Sequence, residues 1–354
     1  MKKQFLLVFV FGWFASANTY GYPMICGIQT DQLLNAPVIV IGQIDWMTNA
    51  GIGVIKDTIR GHGNVPANII RIGVNVEQVI KGVSQTNIQV GELLMPADFI
   101  NFSYLYSDQI PNPASKLPNV FFISPSKNAS KYIPTFPKEF AIEIEHRPKK
   151  ETNSPVEMLR AIAKANVDGS NYVLAVRWAG FLSGLHDDFL YWTNKTQEAR
   201  ALIRSTAYST LVQDFPQTPG LRTNLVKCLS VQTPVVEDSD VSVADYSLIS
   251  SLQKFFEKDP PKAEELRSLL ISGDKNVNEM ALKWIRGKKN LTAMENVAHL
   301  MATSKDRDVQ YECIKTLSVL VEYPHLISYP KFMTHPDQYL EEWQKTAQGF
   351  KQKQ

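Results

Sequence analysis

The sequence predicts an α+β protein whose strands come first and whose helices follow. Five segments before residue 150 are rich in Val, Ile and Phe, whereas apolar residues after residue 154 recur at steps of three and four. Near the C-terminus, Ser272 to Ile285 matches Ser304 to Leu317 at an offset of 32 residues. These patterns favour a small sheet followed by stacked helical hairpins.

The first 17 residues have the pattern of a secretory signal peptide. Lys2 and Lys3 precede an apolar run from Phe5 to Phe14, and Ala15-Ser16-Ala17 supplies small residues for cleavage. A membrane-spanning helix would need about 20 apolar residues. We therefore expect residues 1–17 to be removed and the mature chain to begin at Asn18, in a periplasmic or extracellular location.

Composition and charge predict a globular product that binds neither nucleic acid nor an anionic membrane. The chain has 354 residues, of which 44% are hydrophobic and 20% charged. Loss of Lys2 and Lys3 leaves as many basic residues as acidic ones, so no basic surface is expected. No later segment has the length and apolarity of an integral membrane helix.

The three cysteines, Cys26, Cys228 and Cys313, are too few for a disulfide-built scaffold or a cysteine metal site. An exported protein can pair two of them, and Cys26 with Cys228 is the one pairing we consider. Cys313 occupies the repeat position that Ala281 occupies in the other copy. This equivalence favours a buried small apolar residue at Cys313.

The first half of the chain predicts a closed or partly closed five-stranded antiparallel barrel within residues 18–150. Ile70, Ile72, Val74 and Val76 alternate with more polar residues, which gives a strand one core face and one solvent face. The five predicted strands are residues 37–46, 67–82, 86–91, 119–124 and 139–145.

Two of these segments resemble the netrin-like (NTR) family, whose OB-type barrel also occurs in tissue inhibitors of metalloproteinases. Ala36 to Ile44 (APVIVIGQI) is similar to its first strand, and Val76 to Gly82 (VEQVIKG) is similar to the end of its second. The resemblance covers about residues 26 to 146 and implies an OB-like barrel. The paired cysteines usual in the family are absent.

From residue 154 the apolar period becomes helical. Ser154-Pro155-Val156-Glu157 predicts a capping box that opens a helix ending near Gly169. Trp178, Phe181, Leu185, Phe189 and Trp192 then predict one long helix with a core-facing aromatic stripe. We expect a helical extension over residues 151–213, a proline-bearing linker over 214–245 and a helical domain over 246–354, with helices at 195–213, 246–257, 261–271, 275–286, 290–302, 306–321 and 336–350.

The repeated pair, about residues 261 to 321, is similar to HEAT-type repeats. In both copies an Asp stands three residues before Val at the start of an apolar helix. Ala281, Leu282 and Ile285 correspond to Cys313, Ile314 and Leu317, so apolar volume recurs at helical spacing. The resemblance implies stacked hairpins that present an extended surface.

A candidate binding site lies in a predicted loop from Asn49 to Asn68, between the first two strands. Arg60, Gly61, His62 and Gly63 are its candidate residues, because glycines admit a close ligand and Arg with His can hold an anion or a peptide carbonyl. No Gly-Lys-Ser/Thr follows, so a phosphate loop is excluded. The competing interpretation is a solvated loop without a ligand.

The sequence identifies no catalytic residue, metal site or cofactor motif. His186-Asp187-Asp188 could suggest metal or acid–base chemistry, but on a helix it is more typical of a polar face. Neither His-Glu-x-x-His nor Gly-x-Ser-x-Gly occurs.

Three function classes remain open. We favour an exported, non-catalytic binding or scaffold protein with a protein partner, because both recognisable parts present surfaces. Resemblance to the metalloproteinase inhibitors implies the alternative of a protease inhibitor. In those proteins an N-terminal cysteine chelates the target's zinc, whereas Asn18 to Ile25 would precede Cys26 here. The second alternative is an extracytoplasmic hydrolase without a recognised motif.

Overall fold

The computed structural model describes residues 30–57, 63–82, 85–96, 115–127, 131–135, 140–148, 152, 154–231, 239–323 and 326–351. Its contacts divide the chain into two compact units, Met1–Asp187 and Asp188–Gln354. The first contains the strands and the second is helical, so the predicted α+β class is confirmed. The predicted signal peptide and Cys26 lie outside the described residues.

The first unit is built on six strands, and every predicted strand overlaps one of them. The first two strands are much longer than predicted, and a short strand at Lys131–Pro134 was not predicted. The strands are Val38–Asp57 (β1), Gly63–Lys81 (β2), Asn87–Pro96 (β3), Asn119–Pro125 (β4), Lys131–Pro134 (β5) and Ala141–Glu143 (β6).

Five of the strands form a closed ring of pairings, and the sheet is mixed rather than antiparallel. The order is β1-β2-β3-β5-β4, with β4 also pairing with β1 and β6 added on β4. Contact between β3 and β5 is parallel, through Gln89 with Lys131 and Val90 with Tyr132. A ring with an odd number of strands cannot alternate in direction throughout. The prediction of a fully antiparallel arrangement was therefore wrong.

The core of the ring comes from the alternation that the sequence displays. Ile70, Ile72 and Val74 of β2 are buried, whereas Asn75 is exposed. They pack in one cluster with Val40 of β1 and residues of the other strands. The inward face of β2 is therefore shielded from water between Ile70 and Val74.

Helices cover the ring within the first unit. They are Thr30–Leu34 (α1), Pro155–Val167 (α2) and Tyr172–Ser183 (α3). Ser154 Oγ accepts a hydrogen bond from the Glu157 backbone N–H at the start of α2, which is the N-cap half of the predicted capping box. Trp178 of α3 is fully buried and its Nε1 donates to the Glu143 carbonyl oxygen at 2.8 Å.

The predicted long aromatic helix was wrong, because it is two helices. The first, α3, ends at Ser183, and the next begins at Phe189. Between them His186 and Asp188 have φ values of 53° and 70°, a left-handed conformation that no α-helix continues through. Trp178, Phe181 and Trp192 are core residues, as predicted for the stripe, but Phe189 is 40% exposed.

The second unit contains the remaining helices, and after residue 260 their bounds agree closely with the predicted ones, except that the helix Tyr329–Thr334 was not predicted. Residues 214–245 were predicted as a linker, but the structure places one whole helix and the start of another in that range. The helices are Phe189–Lys195 (α4), Ala201–Asp214 (α5), Leu221–Ser230 (α6), Ser239–Lys258 (α7), Ala263–Leu270 (α8), Lys275–Lys288 (α9), Met294–Thr303 (α10), Arg307–Leu320 (α11), Tyr329–Thr334 (α12) and Pro336–Lys351 (α13).

The consecutive helices α6 to α11 pack as three hairpins in two rows. One row contains α6, α8 and α10, and the other contains α7, α9 and α11. Each helix contacts its hairpin partner and its neighbours in the same row. Such an arrangement buries each hairpin's apolar face against the next, as the sequence repeat predicts.

The two copies of the repeat share an N-terminal cap on their second helix as well as the positions of their buried apolar side chains. Asp274 and Asp306 cap α9 and α11, accepting from the backbone N–H groups of Val277 and Val309 at 2.9 and 3.1 Å. Ala281 and Cys313 are both fully buried. The alignment at 32 residues therefore describes equivalent positions.

A second shared contact was not predicted. Asn278 and Gln310, also 32 residues apart, are both buried. Asn278 Nδ2 donates to the Leu269 and Leu270 carbonyls at 2.9 and 3.0 Å, while Gln310 Nε2 donates to the Ser304 carbonyl at 2.7 Å. Each amide satisfies carbonyl groups at the end of the preceding helix, which otherwise lack partners.

Candidate functional site

The predicted binding loop is, in its described part, a β-hairpin. Asn49 to Asp57 belong to β1 and pair with Gly63 to Ile70 of β2, so the predicted 20-residue loop was wrong in extent. Gly63 is the first residue of β2. Arg60, Gly61 and His62 lie outside the described residues, so their role in binding stays a prediction. We call the paired segments, Asn49–Asp57 and Gly63–Ile70, the hairpin arm.

Exposed aliphatic side chains distinguish one face of the hairpin arm. Ile52 is 77% exposed and Val54 is 59% exposed. They are two residues apart on β1 and so share a face, to which Pro66, the exposed partner of Val54, also belongs. On the opposite face of β2, Ala67 is fully buried. Apolar groups thus meet water where a strand of this kind would ordinarily present polar ones.

Local contacts fix the conformation of the arm near its base. The Asn49 Oδ1 atom accepts from the Gly51 backbone N–H at 2.9 Å, and Asn49 Nδ2 donates to Asn68 Oδ1 at 3.0 Å. Gly51 has φ of 139°, which a residue with a side chain rarely adopts. It lies at a β-bulge between Asn49 and Gly51. Gly51, which suggested a loop in the sequence, is therefore part of strand β1, at its bulge.

Sequence reasoning missed Ile52 and Val54 because four glycines dominated the segment. Ile52 and Val54 alternate with Gly51, Gly53 and Ile55 as a strand requires. That alternation was the available signal. Near the base of the arm, the indole of Trp46 packs against the backbone of Gly73. A Cβ atom at residue 73 would lie 2.1 Å from Trp46 Nε1, so this contact requires glycine.

A second candidate is a cleft of about 300 Å³ on the helical unit, lined by Tyr311, Tyr329, Glu279, Asp308 and Glu312. The two tyrosine rings are 5.1 Å apart and edge to face. Aromatic rings beside carboxylates are a common way to hold a cation.

The carboxylates of this cleft already have partners within the fold. Asp308 accepts from Lys275 and from the Tyr329 hydroxyl, which lowers the pKa of its carboxyl. Glu312 pairs with Lys315 at 2.5 Å and Arg286 at 3.0 Å. The pairs made by Lys275 and Arg286 join α9 to α11, so these carboxylates are accounted for by contacts that hold the helices together.

His186-Asp187-Asp188 has a structural role in the fold. Asp187 pairs with Arg160 of α2, and the Asp188 side chain caps α4 by accepting from the Tyr191 backbone N–H. The prediction that these three residues form the polar face of a helix was wrong, because they lie between α3 and α4. Among the described residues, no group of three or more His, Cys, Asp or Glu side chains could hold a metal ion.

Cys228, the described member of the predicted disulfide, lies half-buried on α6 beside Arg204. Burial raises the pKa of its thiol, and the Arg204 guanidinium opposes that change. It forms no disulfide within the described part of the chain. Since Cys26 lies outside that part, both the disulfide and the cysteine-based inhibitor alternative stay predictions.

Asp245 on α7 is a carboxyl whose ionisation should change the stability of the fold near neutral pH. Burial, reinforced by the neighbouring carboxyl of Asp274, raises its pKa to about 6. The pKa of an aspartate in the unfolded chain is about 3.9. Between about pH 4 and pH 6 the folded state therefore binds a proton at Asp245 more tightly than the unfolded state does. Folding is therefore favoured below pH 4, and this contribution is lost as the pH rises through about 6.

We expect Asp245→Asn to stabilise the protein above pH 6 by about 1 kcal/mol, after allowance for the half-exposed position. Its melting temperature should also change less than the parent's between about pH 5 and 7. Thermal melts across this range measure both effects. Glu257→Gln, at an exposed carboxyl on the same helix, is the control and should leave the pH profile unchanged. An Asp245→Asn profile parallel to the parent's would contradict the assignment.

No protein-family model, curated protein sequence or solved structure matches this chain. In the described part, no helix is long and apolar enough to cross a membrane. The fold and its surfaces are therefore the basis for inferring a function.

Proposed function

We propose that this chain is an exported, non-catalytic binding or scaffold protein that holds a protein partner through the hairpin arm. The secretory pattern of residues 1–17 supports export. Exposed Ile52 and Val54 on the arm support binding, because burying them against a partner removes apolar surface from water. That exposure is the observation that carries the proposal.

An OB-like barrel of the netrin-like type is our proposal for the sheet. Support comes from the cyclic order of the five strands, since the OB-fold is a five-stranded, partly open barrel. The two segments that resemble the family also lie side by side, with Val40 paired to Val79 and Gly42 to Val76. In such barrels loops and strand faces of the same sheet bind ligands.

For the helical unit we propose HEAT-like stacking. The two rows of helices and the equivalent caps at Asp274 and Asp306 support it. Only two copies match in sequence, and the neighbouring hairpin of α6 and α7 continues both rows. The helical unit would then be a stack that presents an extended surface of its own.

The proposal predicts that Ile52→Asp with Val54→Asp abolishes capture of a partner while leaving folding intact. Charge on this face would have to be desolvated on binding, whereas in the free protein it stays in water. The stability change should be within about 1 kcal/mol, as for most exposed sites. The bait is the mature protein starting at Asn18, cross-linked in extracts of its own compartment, with captured proteins identified by mass spectrometry.

A matched variant carries the same two changes at apolar residues elsewhere. Val173→Asp with Ile271→Asp alters side chains that are 56% and 57% exposed, and it should retain the partner. If the Ile52/Val54 variant captured the same partner as the parent, the arm would not be the binding surface. Loss of capture in both variants would indicate a nonspecific effect of charge and would also contradict the proposal.

A further inference from the structure

Along the hairpin arm, one edge of β1 is left open by the strands that the structure describes. It pairs with β2 throughout, but β4 covers its other edge only from Val38 to Gly42. From Gln43 to Asp57 no described strand pairs with that edge. At about 3.3 Å per residue this is an edge of roughly 50 Å, whose outward backbone N–H and C=O groups no strand in the described part of the chain pairs with.

The sequence of this edge lacks the charges that usually protect an open strand. Trp46 to Ile55 contains ten residues without a charge or a proline. Exposed edges in natural proteins ordinarily carry inward charges, prolines or short strands that prevent pairing. This edge has two bulges but neither a charge nor a proline from Trp46 to Ile55, so pairing with another strand is weakened rather than prevented.

Charges at the two ends of the uncharged segment select the direction and register of that strand. Asp45 immediately precedes the segment and Lys56 immediately follows it. If two copies overlap this segment fully and antiparallel, residue 45 of each copy stands opposite residue 56 of the other. A parallel overlap would instead place like charges together, which is unfavourable.

We propose that the open edge of β1 pairs antiparallel with the same edge of a second copy, about a two-fold axis between Ala50 and Gly51. This inference and the proposed function involve the same hairpin arm. The proposed function uses the face that carries Ile52, whereas the dimer uses the backbone edge of β1. A two-fold contact is self-complementary, so the pairing of position 45 with position 56 occurs twice. The dimer would extend the sheet across both copies by β-augmentation.

Two bulges set the expected strength of this dimer. The register of β1 against β2 shifts between Ile44 and Trp46 and between Asn49 and Gly51. Bulges twist a strand and interrupt regular pairing. One pair of strand edges with such interruptions belongs among small interfaces, so we expect a dissociation constant on the order of 10 µM.

Charge reversal tests the register. Asp45→Lys should place lysine opposite Lys56 of the second copy, and Lys56→Asp should place aspartate opposite Asp45. Because each unfavourable contact occurs twice, each variant should dimerise about tenfold more weakly than the parent. Sedimentation velocity of the mature protein between about 1 and 200 µM spans the expected range.

Mixing the two variants provides the decisive measurement. A heterodimer of Asp45→Lys with Lys56→Asp has two opposite-charge contacts, so the mixture should dimerise like the parent although each variant alone does not. Glu257→Lys, which reverses the charge of an exposed residue on α7, is the control and should dimerise like the parent. A parent that stays monomeric at every concentration, or variants that do not recover on mixing, would overturn the proposal. Capture through the Ile52 face is measured separately and does not depend on this result.

Discussion

Ala281→Arg and Cys313→Arg are each expected to reduce the free energy of unfolding by more than about 4 kcal/mol, the largest effects we expect in the helical unit. Both residues are fully buried at equivalent positions on α9 and α11. An arginine there must either bury an unpaired charge or push neighbouring helices apart. Urea unfolding followed by tryptophan fluorescence, to which Trp284 of the same unit contributes, measures the loss.

Two controls separate burial from the substitution itself. Ala302→Arg makes the same change at an exposed position on α10 and should cost less than about 1 kcal/mol. Cys313→Ala should also be mild, because burial raises the pKa of this thiol and it acts as a small apolar group. Arginine variants as stable as Ala302→Arg would show that the two positions are not packed as described.

The repeat could be predicted because it appears twice in one chain. Asp274 and Asp306 each begin a helix, and the same sequence of small and large apolar residues follows both. A pattern that recurs in this way indicates helix starts and buried positions together. The accompanying hydrogen bonds of Asn278 and Gln310 could not be predicted, since Asn in one copy and Gln in the other do not match by residue type.

The helix break at Gly184 to Asp188 was missed for a physical reason. Apolar residues continue at steps of three and four across it, from Phe181 to Leu185 to Phe189. Periodicity reports which side chains are apolar and contains no information about backbone φ. The left-handed conformations of His186 and Asp188 end the helix without changing that spacing.

The hairpin arm was missed for the opposite reason, because residue type outweighed spacing. Glycine is permissive in φ and usually marks turns, so Gly51 and Gly53 suggested a loop. In the structure Gly51 occupies a bulge and Gly53 pairs with Ala67. The parallel pairing of β3 with β5 was missed because β5 has only four residues, too few for an alternation to show.

Asn166→Leu is expected to destabilise the first unit by about 3 kcal/mol, because the Asn166 side chain satisfies backbone groups of two separate segments. Its Oδ1 accepts from the N–H groups of Glu145 and His146 at 2.7 and 3.1 Å, and its Nδ2 donates to the His146 and Ile162 carbonyls at 2.9 and 2.8 Å. Leucine has a similar volume but leaves these groups unpaired in a site that is 2% exposed. Hydrogen exchange should show the Glu145 and His146 amides losing protection, alongside a lower urea midpoint. Asn35→Leu, at an exposed asparagine of the same unit, should change neither. If Asn166→Leu kept both amides protected, they would have other partners and Asn166 would not join the chain after β6 to α2.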